Sequence, residues 1–208
     1  MAGPAKGLDF RPLPGNENET MRVIAGKYRS RPLRSLPGLD TRPTADRLRE
    51  TLFNVLTAGN PEALEGTVWL DLFAGTGAVG IEALSRGARL VYFVESSPPA
   101  AALVRQNLEK LGVEGGFQIL RQEAVPALQR LENQAVVADV VFLDPPYRLS
   151  AAYGSTLAAL SKSSLLRASS LVIAEHEKRF DPGEQFGALR RYRRLEQGDA
   201  ALGFYRAK

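Results

Sequence analysis

The chain has 208 residues, 44% apolar and 24% charged, with a formal net charge of +4, which suits one α/β domain with a sizeable core and a small appendage. It contains no cysteine and a single histidine, His176, which excludes disulfides, iron–sulfur clusters and thiolate zinc sites, argues against any resident metal and fits the cytoplasm. No apolar run reaches the roughly eighteen residues of a membrane span, and the first residues lack the apolar core of a signal peptide, so no membrane partner is expected.

Residues 1–20 are rich in Gly, Pro, Asn and Glu without apolar period and are read as a disordered extension; patterned sequence begins at Met21. Residues 21–60 hold eight basic and three acidic side chains and form a basic N-terminal extension. Within it, 22–36 is expected to be a short basic β-hairpin or ribbon. A helix follows, with Thr44 as N-cap and Leu48, Leu52, Val55 and Leu56 on one face. Arg42, Arg47 and Arg49 gather around its first turns.

From Thr67 the pattern becomes strand–helix alternation, defining a third segment over 61–208. Strands are expected at Val68–Phe73, Leu90–Val94, Phe117–Leu120, Val136–Leu143 and Ser170–Ala174. Helices are expected at Ala78–Arg86, Pro99–Leu111, Val125–Leu131 and Ala151–Leu160. Apolar runs each followed by a helix predict a mostly parallel sheet covered on both faces, a Rossmann-like α/β fold. The tail folds back around Gln197-Gly198-Asp199 as an antiparallel edge hairpin. Trp69 and Phe73 read as core, and His176, in Glu175-His176-Glu177-Lys178, as a surface histidine. Residues 61–177 hold nine basic and thirteen acidic side chains, and 178–208 eight basic and four acidic. Basic ends around an acidic middle are a footprint for a polyanion; solvated arginine faces are the plainer alternative.

Between the first strand and its helix runs Asp71-Leu72-Phe73-Ala74-Gly75-Thr76-Gly77-Ala78-Val79-Gly80. Glycines allow the backbone to turn tightly and approach a ligand at the carboxyl end of the sheet. Gly75, Gly77 and Gly80 also satisfy the dinucleotide pattern G-x-G-x-x-G, so the loop alone leaves the cofactor open. Asp71 shifts the choice, because a carboxylate there repels a pyrophosphate and suits the ammonium of a methionine moiety; capping the helix is its structural alternative. Glu95 ends the second strand, where it can accept hydrogen bonds from ribose hydroxyls.

Asp144-Pro145-Pro146-Tyr147 follows the fourth strand. Two prolines fix φ and remove two donors, leaving a rigid corner of acceptors, the Asp144 carboxylate and the Pro145 carbonyl, beside a ring on which a base can stack. That answers a chemical problem. The amino group of a nucleobase is a poor nucleophile because its lone pair is delocalised, and acceptors holding its N–H bonds release that pair toward a sulfonium methyl.

Residues 21–208 resemble the ribosomal small-subunit methyltransferase D family. The matching stretches are Met21-Arg22-Val23-Ile24-Ala25-Gly26, Arg42-Pro43-Thr44 with Asp46-Arg47 and Arg49-Glu50-Thr51-Leu52-Phe53-Asn54, Asp71 to Gly77, and Asp144 to Tyr147. The last two are shared across many amino-methyltransferases; the run from Arg42 is far more specific. The resemblance implies a class I methyltransferase fold with about seven strands and S-adenosylmethionine as cofactor. It implies methylation of a guanine N2 in 16S rRNA, at guanine 966, probed within a small-subunit particle by a monomeric enzyme. Asp71, Phe73, Ala74, Gly75, Thr76, Gly77 and Glu95 would then contact the cofactor. Glu123-Ala124 would meet its adenine, although Asp or Asn is expected where Glu123 stands. Arg22, Arg29, Arg31, Arg42, Thr44, Arg47 and Arg49 would contact RNA, with Lys27 and Arg34 beside them. A DNA adenine-N6 methyltransferase, a protein glutamine methyltransferase and a non-catalytic RNA-binding module remain alternatives; the second normally begins its corner with Asn, and the third leaves the corner unexplained.

Overall fold

A computed structural model describes residues 21–35 and 43–207; the expectations for residues 1–20 and for Arg42 lie outside these. The elements run α1 (Pro43–Leu56), β1 (Val68–Leu72), α2 (Ala78–Ser85), β2 (Leu90–Val94), α3 (Pro98–Leu111), β3 (Phe117–Leu120), α4 (Ala124–Asn133), β4 (Ala138–Leu143), α5 (Ala151–Leu160), β5 (Leu166–Glu177), β6 (Gln185–Phe186), β7 (Leu189–Gln197) and β8 (Ala200–Ala207). All strands join one sheet of order β3-β2-β1-β4-β5-β8-β7-β6. The first five are parallel and β8, β7 and β6 antiparallel. Eight strands stand where about seven were expected, because the two-residue β6 adds itself to the edge of the anticipated tail hairpin. No helix among the described residues is long and apolar enough to cross a membrane.

Strand alternation sorts the core into two faces. On the front face Trp69, Phe93, Phe142, Ile173 and Phe204 pack against residues of α1, α2 and α3. On the back face Leu70, Val94, Val141 and Val172 pack against α4 and α5. The extension is no separate unit. Val23, Leu33, Leu48, Leu52 and Phe53 belong to the front core, and Phe53 stacks on Trp69 with centroids 5.5 Å apart. Helix α1 begins at Pro43, so Thr44 is its second residue and not the cap that precedes it.

Residues 21–35 double back as expected, but with a single isolated bridge, Arg22–Pro32, in place of a ribbon. The reason lies in what holds the segment down. Glu82 of α2 accepts from the backbone N–H of Ile24 (2.7 Å) and Ala25 (3.0 Å). The Ser85 hydroxyl donates to the Ala25 carbonyl at 2.5 Å and accepts from Tyr28 N–H at 2.9 Å. These bonds use backbone groups a regular ladder would need. Gly26, at φ 80°, lies so close that an added Cβ would fall 1.8 Å from the Ser85 carbonyl oxygen, so only glycine fits.

Candidate active site

The order β3-β2-β1-β4 reverses at β1, and at such a switch point α/β sheets bind ligands in the crevice beyond the carboxyl ends of the two strands, here β1 and β4. Both sequence motifs lie there. After β1 the chain turns through Phe73 (φ 65°), Gly75 (φ 55°) and Gly77 (φ 78°) before α2 starts. Left-handed φ is uncommon for a residue such as Phe73 and brings the loop sharply across the strand end. Gly80 faces β2 so closely that an added Cβ would meet the Phe93 ring at 2.3 Å, which seats α2 directly on the sheet.

The loop is locked by carboxylates. Asp71, 2% exposed, accepts from Gly80 N–H at 2.9 Å. Glu95 accepts from Gly75 N–H at 2.9 Å and Ser97 N–H at 2.8 Å. Each oxygen keeps lone-pair capacity for a further donor. Phe73, Gly75 and Thr76 are partly exposed at the mouth, while Ala74 and Gly77 are buried beneath it. One strand further out, Glu123 is exposed at the start of α4 and Ala124 is buried behind it.

Alternation places Asp71 two residues after Trp69, Glu95 two after Phe93, Asp144 two after Phe142 and Glu175 two after Ile173. Four acids therefore lie at or beside the carboxyl ends of four neighbouring strands on the front face. Burial pushes the Asp71 carboxyl up to about 8; the Gly80 hydrogen bond opposes this, and the charges of Asp144 and Glu95 add to it. Burial raises Asp144 to about 7. Glu175 is raised by burial and then by Asp144, with Arg49 opposing. Such a rim is short of positive charge, and a ligand carrying ammonium and sulfonium groups would supply it. The residues therefore fit S-adenosylmethionine, with Asp71 and Glu95 nearest its loop.

At the corner Asp144 is partly exposed, Pro145 buried and Pro146 exposed. A short 3₁₀ turn, Tyr147–Leu149, follows and is closed by Leu149 N–H to the Pro146 carbonyl at 2.7 Å. The side chain of Tyr147 lies outside the described residues.

A family model described as "Conserved hypothetical protein 95" matches residues 21–206. Ribosomal RNA small subunit methyltransferase D of Haemophilus influenzae is 36% identical over 164 residues, 78% of this chain and 82% of its own length. The Bacillus subtilis protein YlbH is 32% identical over 188 residues, 90% of this chain and the whole of its own. The chain belongs to the ribosomal RNA small subunit methyltransferase D family. Among solved structures, Escherichia coli yhhF superposes with a TM-score of 0.75 at 28% identity, over 91% of this chain and 99% of that one. A Thermus thermophilus 16S rRNA N2 G1207 methyltransferase, solved with S-adenosylmethionine and guanosine, shares the fold at a TM-score of 0.63 and 21% identity, over 83% of this chain and 45% of that one. The fold is that of class I S-adenosylmethionine-dependent methyltransferases, and the chain is an enzyme of that class.

In this member of the methyltransferase D family the basic side chains divide in two. Arg22, Lys27, Arg29, Arg31, Arg34 and Arg47 are exposed. Arg49 is 5% exposed; its guanidinium donates to the Arg22 carbonyl at 2.6 Å and pairs with Asp46 at 3.1 Å. It is turned inward toward the acidic rim, which corrects its assignment as a phosphate contact. Its spacing carried the signal, because Arg49 precedes Leu52, Phe53 and Leu56 by three, four and seven residues and so shares their buried face.

Two further residues escaped the sequence reading, and a third, His176, was placed wrongly by it. Asn107 of α3, fully buried, accepts from Arg34 N–H at 2.8 Å and donates to the Arg34 carbonyl at 3.1 Å and the Thr76 carbonyl at 2.9 Å. It ties the extension to the cofactor loop. Glu175 completes the rim, and its carbonyl accepts from the Tyr153 hydroxyl at 2.7 Å. His176, expected at the surface, is fully buried because β5 runs on to Glu177 and turns the ring to the back face near Phe180.

Proposed function

We propose that this protein, a cytoplasmic monomer, transfers a methyl group from S-adenosylmethionine to the exocyclic N2 of a guanine in small-subunit rRNA, guanine 966 of the 16S molecule. The observation that carries the reading is the Asp144 carboxylate at the head of a Pro-Pro corner, on the strand next to the glycine loop and on the same face as Asp71. The substrate is supported by the family and by the Haemophilus influenzae relative, which bears the rRNA name over most of both chains. The Thermus thermophilus neighbour, with S-adenosylmethionine and guanosine bound, supports the pairing of cofactor and base.

The cofactor supplies an electrophilic methyl on a sulfonium. The chain's own residues do the rest. Asp71, Glu95 and the loop amides position it, with Glu123-Ala124 at the adenine end. Asp144 accepts an N–H of the target amino group and aims the nitrogen lone pair. Tyr147 offers a ring for the base. The N–C bond would form as the methyl's bond to sulfur breaks and a neutral thioether leaves; the amine, then cationic, gives its proton to the Asp144 carboxylate, with Glu175 beside it, or to water. Orientation and a fixed negative charge are sufficient; no strong base is needed.

The test is methyl transfer from tritiated cofactor to assembled small subunits, naked 16S rRNA, DNA and protein, with mass mapping of the product. N2-methylguanine at position 966 is expected. Label on DNA adenine, on protein glutamine or on no rRNA guanine would overturn the reading. The particle should be the better acceptor, since the target base must be unpaired to reach the crevice.

A further inference from the structure

The reactive corner, the cofactor loop and the N-terminal extension leave one strongly charged surface unexplained. Strand β7 reads Leu-Arg-Arg-Tyr-Arg-Arg-Leu-Glu-Gln. Its pairing with β8 slips between Arg191 and Arg193, so Tyr192 is an extra residue that breaks the alternation. The slip brings Tyr192 and Arg193 to the same side. Tyr192 tilts against Phe204 at 6.4 Å, and the Arg193 guanidinium lies over the Phe204 ring at 5.7 Å. Phe204 belongs to the front core, so this is the face that carries the acidic rim. Arg206, two residues after Phe204, lies over the Tyr192 ring at 5.1 Å, and Arg190 stands opposite Arg206. Tyr192 is nonetheless 53% exposed. An open cavity of about 570 Å³ is lined by Arg190, Arg191, Tyr192 and Arg206.

Not every arginine of the strand is available. Arg191 points to the other face, where Asp181 holds it at 2.6 and 3.0 Å. Arg194 donates to the Lys178 carbonyl at 2.6 Å and pairs with Glu196. Arg190, Arg193 and Arg206 remain exposed around one exposed aromatic ring.

The geometry points to this end of the sheet as a second RNA-contact surface: Arg190, Arg193 and Arg206 take phosphates while Tyr192 offers its ring to a base. The inference rests on the rRNA reading above. Guanidinium groups gathered about an exposed ring are the chemistry that grips a nucleic-acid strand without reading its sequence. Position agrees. Strand spacing and rise put the patch on the order of 15–20 Å from Asp144 on the same face, a span that a strand of a few nucleotides covers while its target base sits in the crevice. Arginines along a sheet edge also discourage edge-to-edge pairing. That purpose requires charge alone and gives no reason for a bulge that turns an aromatic outward.

The experiment is a salt titration of rRNA binding by fluorescence anisotropy, using the full-length protein and the small-subunit rRNA fragment that it methylates. Replacing Arg190, Arg193 and Arg206 together by Gln should reduce the slope of log affinity against log salt by about 2–3, from roughly 0.7–0.9 per lost phosphate contact. Affinity for S-adenosylhomocysteine should not change. Because Arg193 and Arg206 also cover rings, Arg190→Gln alone is the milder variant, with a slope reduced by about 0.7–0.9. Tyr192→Ala should weaken binding roughly 5- to 150-fold and Tyr192→Phe hardly at all. A parental slope and affinity in both arginine variants, in a parent that methylates the RNA, would overturn the surface and leave the activity standing. A parent that neither binds nor methylates rRNA would overturn both.

Discussion

Replacing Asn107 by Ala tests whether the extension and the cofactor loop form one mechanical unit. The side chain is fully buried and makes three hydrogen bonds, two to the backbone of Arg34 and one to the Thr76 carbonyl. At about 1 kcal/mol net for each, with partners left facing a small cavity, the loss should be about 2–4 kcal/mol. For a chain of this size that lowers Tm by roughly 5–15 °C. Glu82 clamps the same segment about ten residues earlier, at Ile24 and Ala25. If both residues hold one segment, Asn107→Ala and Glu82→Gln should be less than additive, with a coupling of at least about 0.5 kcal/mol in denaturant melts. S-adenosylmethionine affinity should fall in Asn107→Ala, because Thr76 belongs to the loop, and RNA affinity should fall with it. A variant that melts within about 0.5 kcal/mol of the parent, or full additivity with Glu82→Gln, would refute the idea that Asn107 couples the two.

Asp144→Ala should lower the single-turnover methylation rate on the order of 10²–10³-fold with little change in affinity for the uncharged product S-adenosylhomocysteine, by analogy with removal of one positioned polar group from an active site; a parental rate would show that the chemistry is assigned to the wrong residue. Asp71 and Asp144 sit at about 8 and about 7, above the ordinary carboxylate value, so the folded protein holds their protons more tightly than the unfolded chain does. Their stabilisation is full below pH about 4 and is lost as pH rises through 7 to 8, so the Tm of the cofactor-free enzyme should decline across that window in a melting series. Cationic S-adenosylmethionine favours the ionised carboxylates, so the rise in Tm that it produces should be larger at pH 8 than at pH 6; the opposite order would refute the electrostatic account. Asp144 is raised by burial, whereas Glu175 is raised by burial and then by the charge of Asp144, so Glu175 is still protonated while Asp144 titrates. Glu175→Gln therefore removes no charge from beside Asp144 on the acid side, and the acid limb of the pH–rate profile should stay where the parent has it; a limb that moves down would show that Glu175 is already ionised there.

The parallel half of the sheet was legible because each strand is a continuous apolar run followed by a helix with its own period. Strands β2 and β3 and helix α5 fall where the pattern puts them. The failures share a cause, which is information carried over long sequence distances. Strand β5 was read as Ser170–Ala174, yet it continues to Glu177 because β8 pairs with it as far as Glu177–Ala200. Local hydrophobicity fades at Glu175-His176-Glu177, so the acid that completes the rim looked like the end of a strand. The clamps on residues 21–35 join groups 57 to 73 positions apart in sequence. No window along the chain contains both partners. The corner and the glycine loop were visible because their chemistry is local, whereas the fourth acid joins the rim only when β5 pairs with its neighbours; Arg49 is the exception, since its spacing along α1 already puts it on the buried face.

The distribution of charge then explains how a basic protein can work on a polyanion at an acidic site. The rim of Asp71, Glu95, Asp144 and Glu175 attracts a sulfonium and repels phosphate. Two groups of exposed arginines flank it, on residues 22–34 to one side of the sheet and on β7 and β8 to the other, and Arg148 is exposed in the turn after the corner. An RNA strand held by both groups would pass over the crevice with its backbone kept out by the carboxylates. The part that can enter without electrostatic cost is a neutral base turned out of its stack. Such an arrangement sorts by charge before any base is read: cation into the crevice, phosphates onto the flanks, base between them. Reversing one element should therefore have a specific consequence. Glu175→Lys would place a cation beside the sulfonium, so it should weaken S-adenosylmethionine more than its uncharged-sulfur product. Equal losses for the two ligands in calorimetry would mean that the rim does not distinguish the sulfonium by charge.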